Sequence, residues 1–299
     1  MPATSKDRNR SLVPKSVLAN GPAKTILCAW GQVHFTGPED DTPRFVDLVY
    51  ATAKKYQAGV HSFLGDKAEV TWNVTLRAPS YESKALEFLL ELRNDPGDTK
   101  ACGAVSCGKG QFRMAGGELQ TPLLRVDWLP RLQALSSLAA PHDAVLTCRY
   151  TYTHAQFFIE ARCVDLTRVG EENLDVFEVL RVRPPKAANK DEEWLYTLQS
   201  QGNTGSDLCS DPVSRAVKMC RQEKFLEAQK VLEGFSEAEH SIMTHRLQEK
   251  VQRCVERNFG LSDFLSMTTI GNRESDDIQN GLRRTLQYLV EAQDKMGLD

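Results

Sequence analysis

From residue 24 onward the apolar positions change period several times. Residues 25–36 form a β-branched, aromatic and apolar run that suits a buried strand. Residues 42–56 shift to helical spacing, with Phe45, Val46, Leu48, Val49 and Ala53 apolar and Pro43 in the first turn. Residues 59–64 and 67–75 flank Gly65-Asp66, a two-residue pair that favours a hairpin turn. Residues 81–92 return to a helical period, and 101–107 read as a further strand. This β-α-β-β-α-β order is that of a ferredoxin-like core. Three more strands are predicted over 144–151, 156–165 and 174–182, and Arg183-Pro184-Pro185 closes the region.

The rest of the chain has a different texture. Residues 186–209 are polar and glycine-containing and read as a linker. From 210 to 299 the pattern is helical: a hairpin over 211–234, a longer helix over 237–257 and a terminal helix over 276–296, with a loop at 271–275. The segment AVKMCRQEKFLEA places Ala216, Phe225 and Ala228 at the small-aromatic-small spacing of a tetratricopeptide hairpin. A single copy is more simply a helical hairpin docked on the preceding domain, because such repeats need neighbours. His240, Met243, Leu247, Val251 and Cys254 trace one stripe, and Leu282, Leu286, Leu289 and Val290 trace another. Stripes of this kind bury against something, which points to self-association or capture of another protein. The predicted organisation is a flexible tail (1–22), an α+β domain (23–185), a linker (186–209) and an all-α region (210–299).

Composition narrows the function classes. The 299 residues carry a net charge of −3, divided as +3 over 1–22, −2 over 23–185 and −4 over the remainder. Neither the 23–185 domain nor the remainder has the basic excess of a nucleic-acid reader. No run reaches the ~20 apolar residues of a membrane span, and no apolar signal-peptide core opens the chain. The eight cysteines include no CxxC pair and read as reduced, buried thiols of a cytoplasmic protein. His34, His61, His142 and His154 lack metal-ligand spacing. CGKGQ lacks the spacing of a phosphate-cradling loop.

Five segments carry a resemblance. The hairpin GVHSFLGDKAEVTWN, the strands TILCAWGQVHFT and ACGAVSCGKGQ, the helix opening RVDWLPRLQALS and the closing hairpin FFIEARCVDLTRVGEENLDVFEVL occur in the order seen in class III nucleotidyl cyclases. The chain resembles the catalytic domain of that family over residues 24–182. The resemblance implies a ferredoxin-like, cyclase-type core with extra strands. The family's reaction is in-line attack of a ribose 3′-hydroxyl on the α-phosphate, with two metal ions lowering the nucleophile's pKa and screening the phosphates.

Carried over by position, the family's site is depleted. The metal-binding aspartate of the first strand falls at Trp30 or Gly31, and the second persists as Asp66. The base-reading positions fall at Ser62 and near Gln120. The helix asparagine becomes Asp127, the helix arginine persists as Arg131, and Arg168 is the cation nearest the place of the phosphate-gripping lysine. One carboxylate is left for two cations, and Asp127 would face a triphosphate with like charge. Pro130 removes an amide donor near the expected helix start, so the helix should begin after Asp127. Asp66 serves either residual metal binding or the hairpin turn itself, and pairing of Arg131 with a local carboxylate is favoured over phosphate contact.

The resemblance with these losses implies a pseudo-enzyme with no catalytic residue, metal or cofactor. Its expected role is that of a regulator or scaffold in cyclic AMP signalling, pairing with an adenylate cyclase or related cyclase-domain protein, or with itself. The alternatives are the metal-free half of a heterodimeric cyclase and a nucleotide sensor without turnover. The arrangement of a cyclase-like domain with helices is also similar to the cyclic AMP response proteins of trypanosomatid flagellates. That likeness implies action on membrane-anchored cyclases and a place in the flagellum, at the cytosolic face of the membrane.

Overall fold

The computed structural model describes residues 23–95, 100–115, 121–183, 211–235 and 241–267. The tail 1–22, Gln120, the linker 186–209, His240 of the first predicted stripe, the loop 271–275 and the terminal helix 276–296 with its leucine stripe lie outside the described residues.

The α+β fold is built on the expected βαββαβ core. β1 (Lys24–Phe35) leads to α1 (Thr42–Lys55), β2 (Ala58–Leu64), β3 (Lys67–Trp72), α2 (Tyr81–Arg93) and β4 (Ala101–Ala115). Helix α1 opens with proline in its first turn and closes with Lys54 and Lys55, which suit the negative end of the helix dipole. Gly65 adopts φ +61°, a left-handed conformation that costs glycine little and lets the β2–β3 turn close in two residues. Strand β3 ends three residues earlier than its sequence predicts. Asn73 turns to positive φ, and its side-chain amide donates to the Leu27 carbonyl.

Beyond the core come β5 (Thr121–Val126), α3 (Leu129–Ala139), β6 (Val145–Cys148), α4 (Arg149–Ala155), β7 (Ile159–Val169) and β8 (Glu172–Val182). The sheet order is β2-β3-β1-β4-β6-β8-β7, with β5 paired to β4 off this path. All strand pairs are antiparallel except β4 with β6.

Two of these elements correct the sequence pattern. Strand β4 runs eight residues past its predicted end, through Gly108 and Gly110, to form a hairpin with β5. The glycine at 108 is steric: a Cβ there would stand 2.5 Å from Nε1 of Trp128, whose indole donates to the Lys109 carbonyl. Residues 149–151, rich in β-branched and aromatic side chains, form the start of α4 rather than a strand. Tertiary contacts override propensity here. Tyr152 stacks on Phe177, and the Cys107 amide donates to the Thr151 hydroxyl.

The helical region forms α5 (Pro212–Arg221), α6 (Phe225–Glu233), α7 (Ile242–Arg257) and α8 (Leu261–Ser266). Ala216, Phe225 and Ala228 are buried in the α5–α6 hairpin, as their spacing predicts. The sequence pattern missed α8, which is only six residues long.

These helices dock on the sheet. One face of the sheet packs against α1 and α2 through Val33, Phe45, Val70, Trp72, Leu86 and Val105. The other packs against α3 and α5–α8, so Leu166, Phe177, Val217, Leu247 and Phe264 belong to one core. The stripe of Met243, Leu247, Val251 and Cys254 is therefore covered within the chain itself.

Ionic groups stitch the two parts together below the surface. Lys250 Nζ of α7 lies 2.5 Å from Asp165 Oδ1 of β7 and 4.1 Å from the centre of the Phe264 ring. Burial pulls the Lys250 ammonium pKa down and Asp165 opposes that fall. Ser241, the α7 N-cap, donates to Glu178 of β8, which also receives Arg162. Arg221 of α5 meets Asp175 of β8. Among the described residues no helix is long and apolar enough to cross a membrane.

Candidate functional site

The β2–β3 turn and the start of α3 position the residues singled out from the sequence. Asp66 is exposed at the hairpin tip, and its carbonyl accepts from the Phe35 amide at 2.8 Å. The β1 residue beside Asp66 is thus Phe35. Gly31 and Trp30 lie four and five residues back, about 13–17 Å along a strand at ~3.3–3.4 Å per residue. An indole and a bare glycine at those positions offer no side-chain oxygen to a cation held by Asp66. The twelve residues of β1, KTILCAWGQVHF, include no Asp or Glu in any register.

Packing explains what occupies those places. Gly31 faces the α1–α2 core, where a Cβ would meet the Trp72 ring at 3.1 Å and Val105 at 3.4 Å. A carboxylate there would be forced into an apolar interior. Trp30 faces the opposite core, 7 % exposed, with the His61 ring edge-on at 5.7 Å. Ser62 is exposed on β2 and donates to Glu69, which also receives the Gln32 side-chain amide. Ser62 is thus part of a cross-strand polar cluster.

Asp127 and Arg131 lie at the other end of the face. Asp127 is exposed in the turn before α3, which opens at Leu129 with Pro130 in its first turn, as that proline predicts. Arg131 turns toward the β7–β8 hairpin, and its Nη2 reaches both Glu172 oxygens at 3.1 Å. The partner carboxylate is 41 residues away rather than local, brought close by a hairpin that turns at Gly170 with φ +60°. Arg168 is exposed on β7 opposite Asn173.

A cleft of about 420 Å³ opens beside Arg131, lined also by Cys148, Arg149, Tyr150, Glu172 and Asp175. Each of its arginines has a carboxylate partner: Glu172 for Arg131 and Asp175 for Arg149. An incoming triphosphate would have to displace these acids before gaining a cation. Asp66 is not part of this cleft; its neighbour Phe35 stands five residues along β1 from Trp30, which pairs through Ser106 toward Cys148.

The other candidate groups have structural partners. His34 Nε2 meets the Ser136 hydroxyl at 2.6 Å, His142 accepts from Arg246, and His154 contacts the Tyr150 carbonyl. Burial pushes the Cys28, Cys102 and Cys220 thiols up to about 12, far from a nucleophile's range. The seven described cysteines are free and buried. Among the described residues no group of three or more His, Cys, Asp or Glu is placed to hold a metal ion.

No family model matches the sequence, and no curated protein matches it. Solved structures do overlap with it. The adenylyl cyclase CyaB from P. aeruginosa shares 14 % identity at a TM-score of 0.47, over 54 % of this chain and 97 % of that one. The guanylate cyclase domain of RhGC from Catenaria anguillulae, solved in complex with GTP, shares 14 % identity at a TM-score of 0.46, over 54 % and 100 %. The guanylyl cyclase Cya2 shares 9 % identity at a TM-score of 0.47, over 56 % and 98 %.

Proposed function

We propose that this chain is a catalytically silent relative of class III cyclase domains that regulates or scaffolds adenylate cyclases through protein contacts in cyclic AMP signalling. The observation that carries the proposal is the carboxylate deficit at the place where two cations would have to gather. Strand β1 has no acid, and its residue beside Asp66 is Phe35. Loss of either metal removes several kcal/mol of transition-state stabilisation, on the order of a thousandfold or more in rate. The half-site alternative needs Arg131 free to reach a partner's nucleotide, and Glu172 already engages it through both oxygens. A nucleotide sensor meets the same obstacle in the paired arginines of the cleft. The chain then works at the cytosolic face of the membrane, in the flagellum, beside the cyclase it controls.

Mixing tests this reading. Purified chain incubated with ATP or GTP and Mn²⁺ is expected to yield no cyclic product. Added to an adenylate cyclase that it binds, it is expected to change that enzyme's rate, and Arg131→Ala is expected to leave the change intact. Product from the chain alone contradicts the proposal. Product that appears only in the mixture and vanishes with Arg131→Ala supports the half-site alternative instead.

A further inference from the structure

The interface between α7 and the sheet sets a histidine against an arginine. His142 ends the single 3₁₀ turn Ala140–His142 that follows α3. Backbone bonds fix that turn: the Ala144 amide donates to the Ala139 carbonyl, and the Gly103 amide of β4 donates to the Ala144 carbonyl. The half-buried imidazole therefore meets α7 from a rigid base, with Nε2 2.8 Å from Arg246 Nη1. A guanidinium has donors and no acceptor, so Nε2 must accept, and the proton of the neutral ring sits on Nδ1.

The charges around this contact are unbalanced. Arg246 and Lys250 come from α7. Asp165 comes from β7, with its carboxylate 2.5 Å from Lys250 Nζ and 3.8 Å from Arg246 Nε. Asp143, next to His142 in the chain, is exposed. Cys102 of β4 reaches the Ala140 carbonyl at 3.9 Å and is a neutral thiol, pushed up to about 12 by burial. Burial and the Arg246 charge pull the His142 pKa down, against the opposing pull of Asp165. A proton on Nε2 would end the bond to Arg246 and set a third cation beside one buried acid. His245 of α7 is exposed and lies 3.5 Å from Glu249 of the same helix, so its charge would meet an acid instead.

We infer that His142, Arg246 and Asp165 form an acid-sensitive latch, closed while the imidazole is neutral, that frees α7 from the sheet as His142 takes up a proton. The freed helix exposes Met243, Leu247, Val251 and Cys254, the face that the latched state buries in the core. The sign follows from which state binds the proton more tightly. An unlatched His142 titrates near its ordinary ~6.5, while the latched ring resists protonation, so proton uptake favours release. The latch is at full strength above that ordinary value. It weakens progressively as pH falls from there toward the lower pKa of the latched ring. One proton per latch shifts the opening equilibrium by about tenfold over one pH unit in that window.

The latch involves neither cyclase nor nucleotide, so its test stands apart from the proposed function. Cys254, 1 % exposed on the covered face of α7, reports the opening. The full chain is treated at pH 7.5 and at pH 5.5 with 4,4′-dithiodipyridine, a disulfide that exchanges with thiols in mild acid, and mass spectrometry locates the labelled cysteine. His142→Gln keeps an acceptor for Arg246 that does not titrate. Arg246→Gln gives His142 a partner that pairs with either protonation state. Each variant serves as the reference for intrinsic thiol reactivity at both pH values. The Cys254 labelling rate of the parent, divided by that of either variant, is expected to rise about tenfold from pH 7.5 to 5.5. Hydrogen exchange of the α7 amides, corrected for intrinsic rates, is expected to give the same rise in the parent. A labelling ratio that is the same at both pH values overturns the inference. So does equal protection of the α7 amides in the parent at pH 7.5 and 5.5.

Discussion

Replacing Asp165 with alanine is expected to cost about 3–5 kcal/mol of stability, the effect of taking one partner from a buried ion pair. The carboxylate is 1 % exposed and holds Lys250 Nζ at 2.5 Å, while Arg246 Nε stands 3.8 Å away and the Leu166 amide donates at 2.7 Å. Without it, two cations from α7 would face β7 across an apolar core with no countercharge from that residue. A domain is stable by only ~5–15 kcal/mol, so the loss should appear as a large drop in the urea midpoint. Hydrogen exchange in α7 should rise first, because the pair joins that helix to the sheet. Asp165→Leu/Lys250→Met should recover much of the loss, since a well-packed apolar pair can replace a buried ion pair. A midpoint for Asp165→Ala within ~1 kcal/mol of the parent would mean that the helices are not held to the sheet in this way.

The second large effect is steric. Gly103 of β4 is paired with Val33 of β1, and its amide donates to the Ala144 carbonyl. A Cβ at this position would stand 2.2 Å from the Gln32 carbonyl oxygen and 3.1 Å from the Val33 Cα. Those are backbone atoms in the centre of the sheet, with no rotamer to give way. Gly103→Ala is therefore expected to destabilise by roughly 3 kcal/mol, at the upper end of overpacking costs. Thermal unfolding followed by circular dichroism reads the shift. The contrast is Gly170→Ala, where a Cβ meets nothing within 4 Å; there only the positive φ of +60° is strained, and the cost should be about 1 kcal/mol. Equal losses at the two sites would contradict the packing described.

Local chemistry was legible in the sequence and distant contacts were not. The Gly65-Asp66 turn, the proline-initiated α1 and the delayed start of α3 follow from residues within a few positions of one another. The GKG run lies past the predicted end of β4, because Gly108 is explained by Trp128 and Gly110 by Val126 and Leu124, all some 14–20 residues on. Residues 149–155 have weak helical propensity and form α4 through contacts with Cys107 and Phe177. The stripe of α7 predicted burial correctly but not its partner, since the sheet strand it docks on, β7, lies some 85 residues upstream. Lys250 stands beside that stripe; Asp165 and Phe264 explain its burial, and no local signal marks either.

The candidate site divides the same way. The missing acids of β1 could be read directly, because absence of Asp and Glu from a strand needs no geometry. The placement of Phe35 beside Asp66 needed the turn's hydrogen bond, and the engagement of Arg131 by Glu172 needed the β7–β8 hairpin.

One measurement addresses that deficit most directly: Mn²⁺ electron paramagnetic resonance with the full chain, titrated in the presence of a non-cyclising ATP analogue. The free-ion signal is expected to fall only as far as the nucleotide alone makes it fall. Two protein-dependent manganese ions per chain, close enough to couple magnetically, would contradict it.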